Sequence, residues 1–212
     1  MSHEIRTPMN SLMGMTDLLL KRQPREDQIK MLQALNFSAK NLLNLINDVL
    51  DFSKIEAGKI EVEEINFNLR ELVDNVQLSL NPRAFSKNLS FGLLFGESVP
   101  RLVKGDSIKL SQILNNLVGN ALKFTEKGNV SLHVNLVERA QGSYKIKFEV
   151  IDTGIGIRED MIEEIFNPFQ QGSKSTTRKF GGPGLGLTIV KNLVEILKGE
   201  ISVTSKENEG SV

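Results

Sequence analysis

Asn115-Asn116-Leu117-Val118-Gly119-Asn120-Ala121-Leu122-Lys123-Phe124 closes a segment, Ile108 to Phe124, whose apolar residues recur at helical spacing. On that helix Asn116 and Asn120 share one face, and Lys123 and Phe124 continue it. Two side-chain amide oxygens suit Mg²⁺, which prefers oxygen ligands and usually keeps nucleotide phosphates in its shell. An ammonium group nearby would then meet a phosphate. An asparagine-rich solvated face is the plainer alternative, and the flanking sequence has to decide between them.

Downstream, Val130, Leu132, Val134 and Leu136 alternate with polar residues, as do Ile146, Phe148 and Val150. Two strands joined by the loop Ala140-Gln141-Gly142-Ser143 follow from that period of two. His133 falls on the outward face and is given no role. Directly after the strand Lys145–Ile151 comes Asp152-Thr153-Gly154-Ile155-Gly156. A carboxylate at a strand end can accept a hydrogen bond from an exocyclic amine while bare glycine backbone lies against a planar ligand. A simple glycine turn is the alternative here. Gly181-Gly182-Pro183-Gly184-Leu185-Gly186-Leu187 opens a helix expected over Leu185–Leu197, where exposed amides and the helix dipole suit a triphosphate. It matches neither a dinucleotide fingerprint nor a P-loop, and an inert hinge is the competing reading. Phe166-Asn167-Pro168-Phe169 reads as a hinge or core anchor after a short helix over Glu159–Phe166. The polar run Gln170 to Gly182 reads as a mobile loop. Upstream, Leu69–Leu80 reads as a helix and Leu89–Phe95 as a strand. A last strand is expected at Glu200–Thr204.

The first 55 or so residues differ. Leu32, Leu35, Ala39, Leu42, Ile46 and Val49 recur three and four apart, widened by Leu43 and Leu50. Ile5, Met9, Leu12 and Leu19 give an earlier helix a similar stripe, and Pro24 with Glu26 and Asp27 marks the turn between them. A hairpin with stripes this wide buries them economically by pairing with a second copy as a four-helix bundle. Docking on the following domain is the alternative. The first helix begins with Ser2-His3-Glu4-Ile5-Arg6-Thr7-Pro8-Met9-Asn10. His3 and Thr7 share a face, Glu4 can orient the imidazole, and Pro8 crowds the carbonyl of Glu4, predicting a local bend. Ala57-Gly58-Lys59 breaks the second helix, and Ile60 to Asn66 reads as a linker or short connecting strand. Residues 1–58, 59–66 and 67–212 are thus read as hairpin, linker and α/β domain, with the chain cut at both ends of a longer protein.

Composition narrows the classes. Twenty-six basic residues balance twenty-six acidic ones, so no net field recruits nucleic acid. Cysteine is absent, which excludes disulfides, thiol nucleophiles and thiolate metal sites. No apolar run reaches membrane-spanning length.

Taken in order, these stretches resemble the boxes of class I sensor histidine kinases. His3 to Asn10 looks like the H box, Asn116 to Phe124 the N box and Asp152 to Gly156 the first glycine box. Phe166 to Phe169 is similar to the F box, and Gly182 to Gly186 to the second glycine box. The opening and Phe52-Ser53-Lys54-Ile55-Glu56-Ala57-Gly58 look most like the hybrid-type branch. The resemblance implies an α+β chain of two domains: a dimerising phospho-acceptor hairpin, then a two-layer α/β sandwich of the Bergerat (gyrase/kinase-type) ATP-binding fold. It implies an ATP-dependent protein-histidine kinase of a two-component phosphorelay, passing phosphate from His3 to a receiver-domain aspartate. Phosphatase action on that partner is a further expectation.

Residue by residue, the resemblance makes His3 the phospho-acceptor. Glu4 orients it, and Thr7 positions water in the reverse reaction. Asn116 and Asn120 bind Mg²⁺ and ATP phosphates, with Lys123 and Phe124 beside them. Asp152 reads adenine, Gly154 and Gly156 allow its approach, and Gly182, Gly184, Leu185 and Gly186 belong to the closing lid. The resemblance also implies a homodimer, a response-regulator partner, and a cytoplasmic location within a membrane-anchored bacterial parent. Two positions depart from the pattern. Pro183 stands where a small hydroxyl residue is usual and removes an amide, and Lys109 replaces a more usual arginine. An ATPase of the same fold and a catalytically silent dimerising scaffold are the competing functions.

Overall fold

The computed structural model describes residues 2–140, 142–170 and 184–212, with side chains from Glu4 onward. The chain forms two compact units, Met1–Ile60 and Glu61–Val212. Of the expected features, Gln141 of the hairpin loop, most of the mobile loop, Gly182 and Pro183 lie outside the described residues, as does the His3 side chain.

The first unit is a helical hairpin of α1 (Ser2–Lys21) and α2 (Glu26–Glu56). Helix α1 runs through Pro8. Helix α2 starts where the Gln28 side chain accepts the Arg25 amide at 3.0 Å, with Glu26 and Asp27 in its positive first turn. It stops at Gly58, whose φ of +62° suits glycine, and the Lys59 amide closes back onto the Lys54 carbonyl at 3.0 Å. The expected α2 stripe divides in two. Leu32, Ala39 and Ile46 are at least half-buried, whereas Leu35, Leu42 and Val49 are exposed. The reason is geometric: one antiparallel partner covers only a narrow band of a helix. That band passes through Asn36, whose Nδ2 donates to Asp17 Oδ1 of α1. On α1, Met9 lies in the covered band, while Ile5, Leu12 and Leu19 are exposed.

The second unit has a helical layer and a sheet layer. Its helices are α3 (Leu69–Ser86), α4 (Ser107–Phe124) and α5 (Gly186–Ile196). The main sheet has the order β2-β4-β5-β7-β6, from β2 (Ser90–Phe95), β4 (Asn129–Ala140), β5 (Ser143–Asp152), β6 (Ser205–Lys206) and β7 (Gly210–Ser211). Only the β2–β4 pairing is parallel; the other pairings in this sheet are antiparallel. A separate antiparallel ribbon joins β1 (Ile65–Asn68) to β3 (Leu102–Gly105). The core lies between helices and sheet, where Val73, Leu114, Val118, Leu122, Leu132 and Val134 are fully buried. His133, between the last two, is only half-buried, as the alternation requires.

Helix α3 outruns its expected end by six residues and carries Pro82 within it. Asn68 Oδ1 caps its start by accepting the Glu71 amide at 3.2 Å. Asp106 likewise caps α4, accepting the Lys109 amide at 2.9 Å, and also accepts the Glu63 amide at 3.0 Å. Lys109 Nζ bridges Asp106 to the Glu61 carbonyl, so residues 61–64 are fastened to the second unit. Two expectations are corrected. Glu159–Phe166 forms two separate 3-10 turns rather than one helix. Glu200–Thr204 is not a laddered strand: pairing begins only where Thr204 and Val212 exchange two backbone bonds of 2.9 and 2.8 Å, ahead of β6 and β7.

Candidate functional site

Helix α4 is amphipathic in an unusual sense. Its core face carries Leu114, Val118, Ala121 and Leu122, while Asn116, Gly119, Asn120 and Lys123 are only half-buried on the other side. The start of α5 comes to this polar face. A Cβ on Gly186 would lie 3.5 Å from Asn116 Oδ1 and 4.0 Å from Asn120 Nδ2. Two stretches far apart in sequence therefore meet, and the helix N-terminus they share has amides without intrahelical partners. Fully buried Leu185 anchors that terminus, accepting the Ile189 amide at 2.9 Å.

The carboxylate turn closes on the other end of α4. The Gly154 amide donates to Asp152 Oδ1 at 2.7 Å, and the Ile155 amide donates to the Phe124 carbonyl at 3.3 Å. A Cβ on Gly154 would stand 2.7 Å from that same carbonyl, so only glycine fits. Gly156, with φ at +63°, has the Lys206 carbonyl where a Cβ would be, and the Asn208 amide reaches the Ile155 carbonyl at 2.7 Å. Both glycines thus serve the packing of the turn against protein backbone. Burial raises the Asp152 carboxyl above its ordinary value, opposed by hydrogen bonds from Gly154 and Ser211. The Gly154 amide and the Ser211 hydroxyl and amide take up most of the carboxylate's acceptor capacity, and room remains for one further donor.

Lys123 Nζ sits 4.9 Å from the centre of the Phe124 ring. Burial, then the nearby positive charge of Arg83, hold its ammonium below the usual lysine range. Gly184 has φ at +72°, and a Cβ there would meet the Gln170 carbonyl at 2.8 Å. The two aromatics expected as anchors separate: Phe166 is half-buried under Lys191, while Phe169 is 65% exposed. The hairpin residues belong to the other unit, with Glu4 and Thr7 exposed on α1.

Two residues, one in the last turn of α3 and one just beyond it, were not singled out from sequence. Lys87 Nζ donates to the carbonyls of Leu122, Lys123 and Thr125 at 2.7, 2.9 and 3.2 Å, closing the C-terminus of α4. Arg83 reaches Gly119 of α4. Neither belongs to a local motif; each acts on a helix that folds next to its own.

Among the described residues, no cluster of His, Cys, Asp or Glu could hold a metal ion. The donors on α4 are the amide oxygens of Asn116 and Asn120. Amide oxygens are hard donors of the kind Mg²⁺ takes where nucleotide phosphates would complete its shell. No described helix is long and apolar enough to cross a membrane.

Residues 105–212 match the family model described as "Histidine kinase-, DNA gyrase B-, and HSP90-like ATPase", and residues 1–58 match "His Kinase A (phospho-acceptor) domain". The whole chain is 44% identical over 213 residues to the sensory/regulatory protein RpfC of Xanthomonas campestris pv. campestris, covering 29% of it. Over 211 residues it is 44% identical to the signal transduction histidine-protein kinase BarA of Escherichia coli K12, covering 23% of that protein. Among solved structures, full-length ShkA in complex with AMPPNP is similar at a TM-score of 0.79 and 34% identity. That match covers 99% of this chain and 42% of ShkA. The chain thus spans less than a third of the curated relatives just named.

Proposed function

Since the chain belongs to the histidine kinase-, DNA gyrase B- and HSP90-like ATPase family and carries a His Kinase A domain, we propose that it is the kinase core of a two-component sensor. Its reaction is phosphoryl transfer from ATP to His3. An imidazole nitrogen bonds to the γ-phosphorus as the bond to the bridging oxygen breaks and ADP leaves. Glu4 accepts a hydrogen bond from the other ring nitrogen and raises the nucleophilicity of the first. Asp152 accepts from the adenine amine. Lys123 and the amides at the start of α5 meet the phosphates. Asn116 and Asn120 would hold Mg²⁺, which would supply neutralisation of charge on the triphosphate.

One observation carries this reading: Gly186 brings the start of α5 against Asn116 Oδ1 and Asn120 Nδ2, so the side-chain amides of α4 and helix-terminal amides converge on one spot. Movement of the segment carrying Gly184 and Gly186 over the phosphates is part of the same proposal.

The reading extends to partners. Exposed stripes on both helices of the hairpin suit a second copy of the chain, completing a four-helix bundle. The acceptor for the phosphate on His3 is an aspartate of a response-regulator receiver domain, and Thr7 positions water when phosphate is removed from that partner. The core works at the cytoplasmic face of a membrane-anchored parent.

Incubation with Mg·ATP followed by an acid-labile phosphate assay tests the core claim. The wild type should label, and His3→Gln should lose the label entirely. ATP turnover without label would favour a water-activating ATPase of the same fold. Absence of both would favour a silent scaffold.

A further inference from the structure

Helix α2 releases the chain at one residue, and the second unit takes hold of it almost at once. The Lys59 amide donates back to the Lys54 carbonyl at 3.0 Å, which closes α2. Two residues on, the Glu61 carbonyl accepts from Lys109 Nζ at 2.7 Å, and the Glu63 amide donates to Asp106 Oδ2 at 3.0 Å. From Ile65 onward the chain is laddered to β3, beginning opposite Gly105. Between the two ties stands one residue, Ile60, which is also where the compact units divide. The stretch that reads in sequence as a linker is therefore mostly fastened down.

The chemistry at the second tie exceeds what a helix cap needs. Asp106 Oδ1 accepts the Lys109 amide and caps α4, a task that asparagine performs as well as aspartate. Its other oxygen takes both the Lys109 ammonium and the Glu63 amide. Along the side chain Asp106 is 1% exposed and Lys109 13%, so this is a buried ion pair, and desolvating it is costly. The charge at position 106 is thus accounted for by the linker it grips rather than by the helix it starts. Lys109 completes the grip by reaching past the carboxylate to Glu61.

We propose that Asp106 and Lys109 form a clasp that shortens the tether between the hairpin and the second unit, and so sets how often bound nucleotide meets His3. Both are positioning residues, acting through the chain they hold. The proposal rests on the kinase reading above and adds a determinant of its rate. With the clasp shut the tether is Ile60; open, it is residues 60–64, longer by about 14 Å of extended chain. The effective concentration of tethered groups falls roughly as the −3/2 power of tether length, so opening dilutes the encounter about five- to tenfold.

The whole chain carrying Asp106→Asn with Lys109→Met tests this. Asparagine still caps α4, and removing both charges leaves neither buried alone. Hydrogen exchange should find the Glu63 amide protected in the wild type and fast in the double variant. The maximal rate of His3 labelling should fall about five- to tenfold, while KM for ATP and affinity for a non-hydrolysable analogue stay unchanged. Inserting Gly-Ser-Gly-Ser after Ile60 of the wild type lengthens the tether equally and leaves the clasp intact. That insertion should reproduce the loss, and should add only about twofold more to the double variant. An unchanged labelling rate would overturn the proposal, as would a Glu63 amide that stays protected in the variant. So would a loss that the insertion fails to reproduce, or one that shows as a raised KM, because either marks a role inside the second unit. A wild type that never labels removes the kinase reading itself, and this rate claim with it.

Discussion

Helix α2 is 31 residues long and buries two of them, Asn36 and Ala39; α4 is 18 residues long and buries five, all aliphatic. Both are amphipathic, so the difference lies in what each is given to pack against. Helix α4 has α3 and α5 on its flanks and the sheet beneath, and its aliphatic face vanishes into a closed core. Helix α2 has one partner. Its most buried polar residue is an asparagine bonded to Asp17, while Met31, Leu35, Phe37, Leu42, Leu45 and Val49 stay exposed. A lone buried amide in an otherwise apolar seam fixes helix register at some cost in stability. The second unit therefore closes its own core, while the first fixes its register and leaves wide apolar stripes uncovered. Under the proposed function that is a division of labour between a nucleotide site and a dimerising platform.

Breaking the second unit's chemistry without touching the platform should give the largest effect. Asn120→Asp puts a carboxylate beside Asn116 and the start of α5, where phosphates are expected, and turns attraction into repulsion. Mg·ATP-dependent labelling should fall by about a hundredfold or more. Light scattering should report the same particle mass as the wild type. Labelling at the wild-type level would remove Asn120 from the site.

The converse change tests the platform. Leu35→Lys with Leu42→Lys adds two charges to the exposed α2 stripe. If that stripe is a dimer seam, each buried lysine costs about 2 kcal/mol or more. The scattering mass should then halve at low concentration while ADP binding stays as it was. A mass that never changes would break the comparison, because the stripe would then be plain surface.

What was legible in the sequence follows the same divide. Helix α4 could be read almost whole, because period and polar face are local properties of one segment; its Asp106 cap was not picked out. The Asp152 turn and the glycines near α5 were legible as residue types. Their physical reason came only with the fold: Gly154 is glycine because the Phe124 carbonyl is there, and Gly156 because of the Lys206 carbonyl. The hairpin stripe shows the limit. Leu32 and Leu35 sit in one heptad pattern, yet Leu32 faces α1 and Leu35 does not, since a wide stripe does not say which edge the first partner takes. Asn36, the residue at the centre of the covered band, is polar and so invisible to an apolar pattern. Arg83 and Lys87 were illegible for another reason. Their partners lie on α4, and no spacing within α3 points there.

The smallest expected effect separates the units by pH. In the hairpin, burial and then the charge of Asp51 push the Asp48 carboxyl up to about 6. A carboxyl raised in the folded state binds its proton more tightly there than in the unfolded chain. Stability should therefore fall as pH rises from about 4 to about 6 and level off above that, the reverse of a salt-bridged carboxylate. Asp48→Asn removes the titration, so it should flatten this slope and leave the hairpin more stable near pH 7. The gain is about 1–2 kcal/mol once partial exposure is allowed for. Urea unfolding followed by helical ellipticity at pH 4.5 and 7.5 reads both quantities. Asp152 is also raised by burial, but it sits at the end of β5 in the second unit, so its slope should survive Asp48→Asn unchanged. If the variant instead keeps the wild-type slope, the pH response belongs to the second unit and the hairpin carries none of it.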